Sequence, residues 1–259
     1  MIKQAIPIFQ EAHILRKTMM EALSDYVFLK DRFFYKGYGD GILTGCELTT
    51  TRDTIVLNEG VILYDGQLFL IKEPMSVTYY PTNTTTVLKL CFSDAFRDEN
   101  FIYQEMDLLL TEQTSMKRGE LELCRFKLQE GAYLRYQYQN FEDRSTEFDT
   151  LNTIHVVYSA KGESTLSLEI VQEFASEMLK ADSLSDLDAM FCLQLLGASR
   201  PVNKAMLVSY IEHRDKKRLR ERSNDVIYQE LVRILKEVVQ GRKFETEMQG
   251  KKRWRMNIE

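Results

Sequence analysis

Apolar positions recur with two different periods along this chain, and the change of period divides it into two parts. From about Gly41 to Gln139, apolar residues alternate with polar ones or form short runs between turns, which is typical of β-strands. After Ser164, apolar residues recur every three or four positions, which is typical of amphipathic helices. The pattern therefore predicts an α+β chain in which a β-region precedes a helical region.

The clearest local signal in the β-region is the dipeptide Asp65-Gly66, which separates two apolar runs. A two-residue loop of this kind adopts positive φ at both positions and joins antiparallel strands. In the run from Leu121 to Leu128 the alternation changes phase at Cys124, which indicates a bulge or a strand buried on both faces. Two further strands are predicted, one through Ile102, Gln104, Met106, Leu108 and Leu110 and one through Leu134, Tyr136 and Tyr138. Short strands without intervening helices favour an antiparallel sandwich or barrel.

A helix is predicted before the β-region, from Thr18 to about Phe33. Thr18 followed by Glu21 has the form of a capping box, in which each side chain bonds the other residue's backbone N–H. The glycines at positions 37, 39 and 41 are expected to end this part of the chain before the first strand.

Four amphipathic helices are predicted in the helical region. Their apolar stripes are Leu168, Val171, Ala175 and Met178; Leu184, Leu187, Phe191 and Leu195; Val202, Met206 and Tyr210; and Ile227, Leu231, Ile234 and Val238. Ser183 is the expected N-cap of the second helix and Pro201 the first residue of the third. Ser223 precedes the fourth helix, which Gly241 should close. Short connections between amphipathic helices favour a bundle.

These patterns give five segments. Residues 1–36 form an N-terminal segment with a helix, and residues 37–140 form an antiparallel β-domain. Acidic residues crowd the predicted linker over residues 141–163, residues 164–241 form the helical bundle, and residues 242–259 form a basic C-terminal tail.

Composition is that of a folded protein, with 44% hydrophobic and 28% charged residues in 259. No apolar run approaches the roughly 18 residues that a membrane span requires, and the N-terminus lacks a signal-peptide core. A cytoplasmic location, or a place within an assembled particle, is therefore expected. The four cysteines lie far apart, so free thiols are expected: Cys46, Cys91, Cys124 and Cys192.

No arrangement of residues in the sequence indicates catalysis, a cofactor or a metal. The three histidines, His13, His155 and His213, fall in different regions. The glycines of Gly37-Tyr38-Gly39-Asp40-Gly41 precede a strand pattern, whereas a dinucleotide site needs a helix there. Helix capping explains Asp182, Asp186 and Asp188 better than calcium binding does. We expect a protein that is not an enzyme and that carries no cofactor.

Charge is strongly polarised along the chain. The segments Arg214 to Arg222 and Arg242 to Arg255 each carry a net charge of +4, whereas the whole chain carries −5, so the remainder carries −13. The candidate partner-binding residues are Arg214, Lys216, Lys217, Arg218, Arg220, Arg222, Lys251, Lys252, Arg253, Trp254 and Arg255. Such segments bind nucleic acid or anionic membranes, or dock an acidic protein surface. A solvated or protein-docking role is favoured, because no nucleic-acid-binding module surrounds them.

The string from Tyr38 to Glu47, followed by the run from Ile55 to Gly66, resembles the glycine-punctuated β-pattern of baseplate proteins from phage tails and contractile injection machines. The order of a short N-terminal segment, a β-domain and helices is similar to that of the type VI secretion baseplate protein TssK. The resemblance covers about residues 8–75 in pattern and the rest in domain order. This chain is much shorter than that family's pattern, which counts against a separate C-terminal domain for docking a membrane complex.

The resemblance implies a structural adaptor that self-assembles, as a trimer, and bridges neighbouring baseplate or tail subunits. It carries over no catalytic residues, because the family has a connecting role. Two alternatives remain open. One is a receptor-binding or carbohydrate-binding module, with stacking platforms among Tyr79, Tyr80, Tyr133, Tyr136 and Tyr138. The other is a nucleic-acid-associated protein that uses the two basic segments.

Overall fold

The computed structural model describes residues 5–11, 13–181 and 184–255, and from residue 240 onward it describes the backbone only. The chain is α+β, with an N-terminal helix, several small antiparallel sheets and a set of C-terminal helices. The order predicted from the two periods, with strands preceding helices, is therefore confirmed.

The N-terminal helix α1 spans Lys17–Phe34, so the predicted helix is confirmed. The predicted capping box is wrong: Arg16 occupies the N-cap position without a side-chain hydrogen bond, and Thr18 already lies inside the first turn. The helix ends at Tyr35, and Gly37 follows with a φ of +80°.

Eleven strands follow α1 in the part of the chain that the structure describes. They are β1 (Gly41–Gly45), β2 (Leu48–Thr50), β3 (Thr54–Leu57), β4 (Gly60–Tyr64), β5 (Gln67–Ile71), β6 (Met75–Thr78), β7 (Thr86–Phe92), β8 (Phe96–Arg97), β9 (Ile102–Tyr103), β10 (Met106–Thr111) and β11 (Glu120–Phe126). Hydrogen bonds join them into four small antiparallel sheets, ordered β1-β4-β5, β2-β3-β6, β10-β7-β11 and β8-β9.

The predicted hairpin is confirmed, because Asp65 and Gly66 have φ angles of +48° and +72° and Tyr64 pairs with Gln67. The predicted irregularity in β11 is also confirmed: its register against β7 shifts between Glu122 and Cys124.

Two strand predictions are wrong. The long strand through Ile102 and Leu110 is broken into β9, which pairs with β8, and β10, which pairs with β7. Around Leu134 to Tyr138 there is no strand, only an isolated bridge between Arg135 and Thr150. The alternation of apolar and polar residues revealed neither the break between β9 and β10 nor the absence of a strand around Leu134 to Tyr138.

Two glycines allow β1 and β4 to approach each other closely. Gly45 pairs with Gly60, and a Cβ on Gly60 would lie 2.4 Å from the Sγ of Cys46 and 2.5 Å from its backbone N. Gly45 also has a φ of +68°, which favours glycine. The glycines at positions 45 and 60 are therefore explained by the close contact between the backbones of β1 and β4.

The C-terminal helices are α2 (Leu168–Met178), α3 (Asp186–Gly197), α4 (Lys204–Asp215) and α5 (Asn224–Arg255). Each of the four predicted apolar stripes has most of its residues on a helix, but Leu184 and Val202 precede α3 and α4, and three boundaries differ from the prediction. Ser183 lies outside the described residues, and Ser185 caps α3 instead by accepting the N–H of Asp188. Pro201 precedes α4, whose N-cap is Asn203. Gly241 does not end α5, because the helix continues to Arg255.

Buried side chains form two cores. One joins the strands and includes Ile55, Leu57 and Leu88, and the other joins the helices and includes Phe174 and Leu231. The segment between them contributes to both, because Leu151 and Val156 belong to the strand core, whereas Phe141 and Ile154 belong to the helical core.

Arg144, in a 3-10 helix at Phe141–Ser145, joins this segment to α2. Its buried guanidinium lies 4.2 Å from the ring centroid of Tyr138 and pairs with the carboxylates of Glu169, at 2.6 Å, and Glu173. The Tyr228 hydroxyl of α5 also donates a 2.6 Å hydrogen bond to the carbonyl of Phe141. Such contacts tie the segment to the helices rather than leave it as an exposed connection.

Candidate docking surfaces

The residues before β1 expose an unusual amount of apolar surface. We call residues 5–34 the N-terminal arm, and none of the residues of α1 within it is buried. Its exposed large apolar side chains are Ile6, Ile8, Phe9, Ile14, Leu15, Met20, Leu23, Tyr26, Val27, Phe28, Leu29, Phe33 and Phe34. The apolar stripe of α1 therefore has no partner among the described residues.

The exposed area of the arm is that of an interface. Its five aromatic side chains have exposed fractions between 54% and 73%. At about 200 Å² for each side chain, they alone present about 600 Å². The aliphatic side chains take the total past the ~800 Å² per partner of a standard protein interface. A patch of this size is larger than a typical monomer leaves in water.

The base of the arm is anchored to the rest of the molecule. The ring of Tyr35 meets those of Phe34 and Tyr38 edge to face, with centroids 5.1 and 5.5 Å apart. The guanidinium of Arg200, between α3 and α4, lies 5.5 Å from the ring centroid of Phe34. The backbone of Tyr38 forms a bridge with Lys161. The arm therefore has a fixed origin at the junction of strands and helices.

A second apolar surface lies on α3. One side of this helix buries Phe191, Cys192 and Leu195 in the helical core. The other side exposes large apolar side chains at intervals of three residues, and we call it the α3 outer face: Leu187, Met190, Leu193 and Leu196. The sequence assigned Leu187 to a buried stripe, but α3 is apolar on both sides, so periodicity did not distinguish the inner from the outer face.

The predicted basic cluster divides into paired and exposed residues. Arg222 lies 3.6 Å from Glu212, and Arg214 pairs with the carboxylates of Asp188 and Glu237 at 3.2 and 2.9 Å. The remaining members are exposed on the loop between α4 and α5: Lys216, Lys217, Arg218 and Arg220. The other predicted residues belong to the C-terminal end of α5, where the structure describes the backbone but not the side chains: Lys251, Lys252, Arg253, Trp254 and Arg255.

Arg214 belongs to a buried polar group that the sequence did not reveal. The carboxylate of Asp188 on α3 accepts a 2.7 Å hydrogen bond from the hydroxyl of Tyr210 on α4 and a 3.2 Å hydrogen bond from Arg214. The ring of Tyr210 stacks on Phe191 with centroids 3.7 Å apart. Asp188 was expected only to favour the start of its helix, whereas its side chain connects α3 to α4. Burial and the hydrogen bond to Asp188 both raise the pKa of Tyr210.

Neither protein-family models nor curated proteins give a match to this chain by sequence. Solved structures do resemble it. A crystal structure of TssK shares 12% identity over 91% of this chain and 69% of that chain, with a TM-score of 0.41. A TssK-TssF-TssG baseplate subcomplex of the type VI secretion system shares 8% identity over 91% of this chain and 100% of that chain, with a TM-score of 0.42. A type VI baseplate complex shares 9% identity over 90% and 100%, with a TM-score of 0.36.

This likeness concerns the course of the backbone alone, and at 8–12% identity it assigns no binding role to any residue of this chain. Such roles have to come from the chain's own surfaces.

The five tyrosines considered as stacking platforms differ in exposure. Tyr79 is buried, and its hydroxyl donates to the backbone carbonyls of Thr51 and Arg52 at 3.0 Å. Tyr138 donates to the carbonyl of Leu151 at 2.7 Å. Tyr80, Tyr133 and Tyr136 are exposed. The two hydrogen-bonded tyrosines are therefore structural, and the exposed three do not include a pair in ring contact.

The buried thiols and His155 favour their uncharged forms. All four cysteines are free, and desolvation raises the pKa of Cys46 and Cys192 to about 12 and that of Cys124 still further. Burial lowers the pKa of His155, so its imidazole is neutral at pH 7.

Over the described parts of the chain, no group of three or more His, Cys, Asp or Glu side chains is arranged to hold a metal ion. None of the helices there combines the length and apolarity that a membrane span requires.

Proposed function

We propose that this chain is a structural adaptor of a contractile injection baseplate, which assembles with copies of itself and bridges neighbouring subunits. The N-terminal arm carries the proposal, because it presents an interface-sized apolar surface and buries none of α1. The assignment to a contractile injection baseplate comes from the glycine-punctuated β-pattern, which resembles that of baseplate proteins. In this assignment residues 37–140 act as one β-domain, residues 164–241 act as one helical bundle, and the protein is not an enzyme.

The occupant that fits the arm is a second copy of this chain. The α3 outer face offers an exposed apolar strip to receive it. The arm carries no net charge, with four basic and four acidic residues, so its contact with the α3 outer face would be made by the apolar side chains. Contact between an arm and the α3 outer face of the next copy is head to tail, which closes into a ring when the rotation permits. A ring of three is the number that the sequence resemblance implies.

The test is the mass of the full chain in solution, measured by size-exclusion chromatography with light scattering. The arm variant replaces Phe28 and Phe33 by aspartate, and the acceptor variant replaces Met190 and Leu193 by aspartate. A carboxylate buried in an apolar contact costs several kcal/mol, so each variant should shift the protein to monomer. The matched control replaces Ile102, which is equally exposed but lies in the β8-β9 hairpin, by aspartate and should leave the oligomer intact.

Several results would count against the proposal. A wild-type chain that is monomeric at tens of micromolar would refute self-assembly. An oligomer that survives the arm variant would show that the arm is not its interface. Loss of the oligomer in the arm variant but not in the acceptor variant would remove the α3 outer face as the receiving surface. A cooperative thermal transition by circular dichroism would establish that every variant is folded, including those that become monomeric.

A second docking role is proposed for the exposed loop of Lys216, Lys217, Arg218 and Arg220. Four cations without a carboxylate partner among the described residues suit an acidic surface of a neighbouring subunit. Replacing all four by glutamine should weaken binding to baseplate subunits and reduce its dependence on salt, without changing the mass of the isolated chain. Equal salt-dependent binding of the wild type to random-sequence DNA would favour the nucleic-acid alternative instead.

A further inference from the structure

A cavity of about 340 Å³ lies at the base of the N-terminal arm. Tyr35 and Tyr38 line one side of it, β1 and the segment around Ser159 line another, and the connection between α3 and α4 lines the third. It is therefore formed where the arm, the strands and the helices meet. Its volume is enough for a small ligand of a few to about twenty heavy atoms.

The charged side chains that line this cavity are both cationic. They are Lys161 and Arg200, and none of the described lining residues carries a carboxylate. Neither cation forms an ion pair within the described part of the chain, whereas Arg144 and Arg214 each hold two or more carboxylates. In a chain of net charge −5, two unpaired cations beside one cavity mark a local positive field.

Ser159 is the second and independent observation. It lines the same cavity, it is 1% exposed, and its Oγ has no hydrogen-bond partner among the described residues. A buried hydroxyl without a partner costs free energy, so such groups are normally paired with protein, water or a ligand. Here the missing partner is an acceptor that would lie in the cavity.

Asn203 adds a donor at the same place. Its side-chain oxygen caps α4 by accepting the N–H of Ala205 at 2.8 Å. The amide nitrogen of the same side chain is then available to donate to a ligand. Asn203 lines the cavity and lies at the positive end of a helix of 12 residues. Donors and positive charge therefore converge from three separate segments.

We propose that this cavity binds a small oxyanion, a phosphate or carboxylate group. Lys161 and Arg200 supply the charge, and Ser159 and Asn203 supply hydrogen-bond donors. The rings of Tyr35 and Tyr38 form the wall against which the remainder of the ligand packs. Binding at this point is separate from the apolar contacts of the arm, so it stands or falls independently of self-assembly.

The test is isothermal titration calorimetry of the full chain with sodium phosphate and with sodium acetate, at pH 7.5 and constant ionic strength in chloride. Saturable binding of one anion per chain in the millimolar range or tighter is expected. Lys161→Gln and Arg200→Gln should each weaken it about tenfold, as expected for a lost charge-assisted hydrogen bond. The matched controls Lys72→Gln and Arg97→Gln, at exposed cations elsewhere, should bind as the wild type does.

Ser159→Ala separates ligand binding from a structural role. Without the anion, this variant should melt at the same temperature as the wild type or higher, because it removes an unpaired buried hydroxyl. With phosphate or acetate at saturation, the wild type should gain stability, and the variant should gain less at the same concentration.

The two anions distinguish the source of the charge. Tighter binding of phosphate indicates a phosphate-bearing ligand, and tighter binding of acetate indicates a carboxylate-bearing one. Either result supports the proposal, provided that the Lys161 and Arg200 variants weaken it. Heats equal to those of added sodium chloride, or binding that survives both substitutions, would overturn it and leave the hydroxyl of Ser159 to a trapped water.

Discussion

Replacing Glu120 by glutamine should destabilise this protein much more than replacing Lys89 by methionine, although the two side chains form one ion pair. The ammonium of Lys89 lies 2.8 Å from the carboxylate of Glu120 and 2.6 Å from the carbonyl of Ser115. Lys89 lies in β7, the central strand of its sheet, and its side chain is 1% exposed, whereas that of Glu120 is 12% exposed. The two partners therefore differ in their access to water.

The expected loss in free energy of unfolding depends on which charged group each substitution leaves without its partner. In Glu120→Gln, a buried ammonium keeps only neutral partners, and breaking a buried pair in this way costs about 3–5 kcal/mol. In Lys89→Met, a straight apolar side chain of similar volume replaces the ammonium. The carboxylate that remains is closer to solvent and still accepts the N–H of Lys117 at 2.9 Å, so a loss of no more than about 2 kcal/mol is expected.

Urea unfolding at pH 7, followed by circular dichroism, measures both free energies of unfolding. The slope of free energy against urea should be unchanged in each variant, so that the midpoints can be compared directly. The double variant Lys89→Met with Glu120→Gln should be more stable than Glu120→Gln alone, because no ammonium is left buried. Equal losses in the two single variants would refute the reasoning, and so would a double variant less stable than either.

Four other substitutions test separate parts of the structure by the same unfolding measurement. Gly60→Ala should cost about 1–3 kcal/mol or more because its Cβ would overlap Cys46, whereas Gly197→Ala, which meets nothing within 4 Å, should be neutral or stabilising by up to about 1 kcal/mol. Tyr210→Phe should cost about 1.5–3 kcal/mol, because it removes a hydrogen bond to a buried carboxylate. Hydrogen bonds from Arg135 lower the pKa of Asp143 below its ordinary value. The unfolded chain therefore takes up a proton at this carboxylate before the folded chain does, once the pH falls below about 4. The wild type should lose its stability advantage over Asp143→Asn in that range of pH.

Much of the fold could be predicted because its signals are local. The turn at Asp65-Gly66 and the phase change at Cys124 depend on neighbouring residues, and both predictions are confirmed. The five helices were predicted for the same reason. Predictions that depended on a distant partner were wrong: the alternation from Ile102 to Leu110 could not show that β9 pairs with β8 and β10 pairs with β7.

The candidate surfaces were harder to predict, because a hydrophobic stripe has the same sequence pattern whether a core or a partner covers it. Leu187 was expected to be buried with Phe191, yet Leu187 is exposed and Phe191 is packed against Tyr210. The basic cluster also appeared uniform in sequence, although Arg214 lies in an ion network and Lys216 to Arg220 lie in water. Only the three-dimensional arrangement separates these roles.

The N-terminal arm connects helix stability to assembly. An isolated helix of 18 residues is only marginally stable in water, and most helices in proteins are stabilised by packing of an apolar face. Helix α1 packs no such face against the described part of its own chain and has no side-chain hydrogen bond at its N-cap, so its helical form requires stabilisation from elsewhere. Burial of the same apolar stripe on a neighbouring copy would supply it. If the proposed contact forms, folding of α1 and docking of the arm are one coupled step.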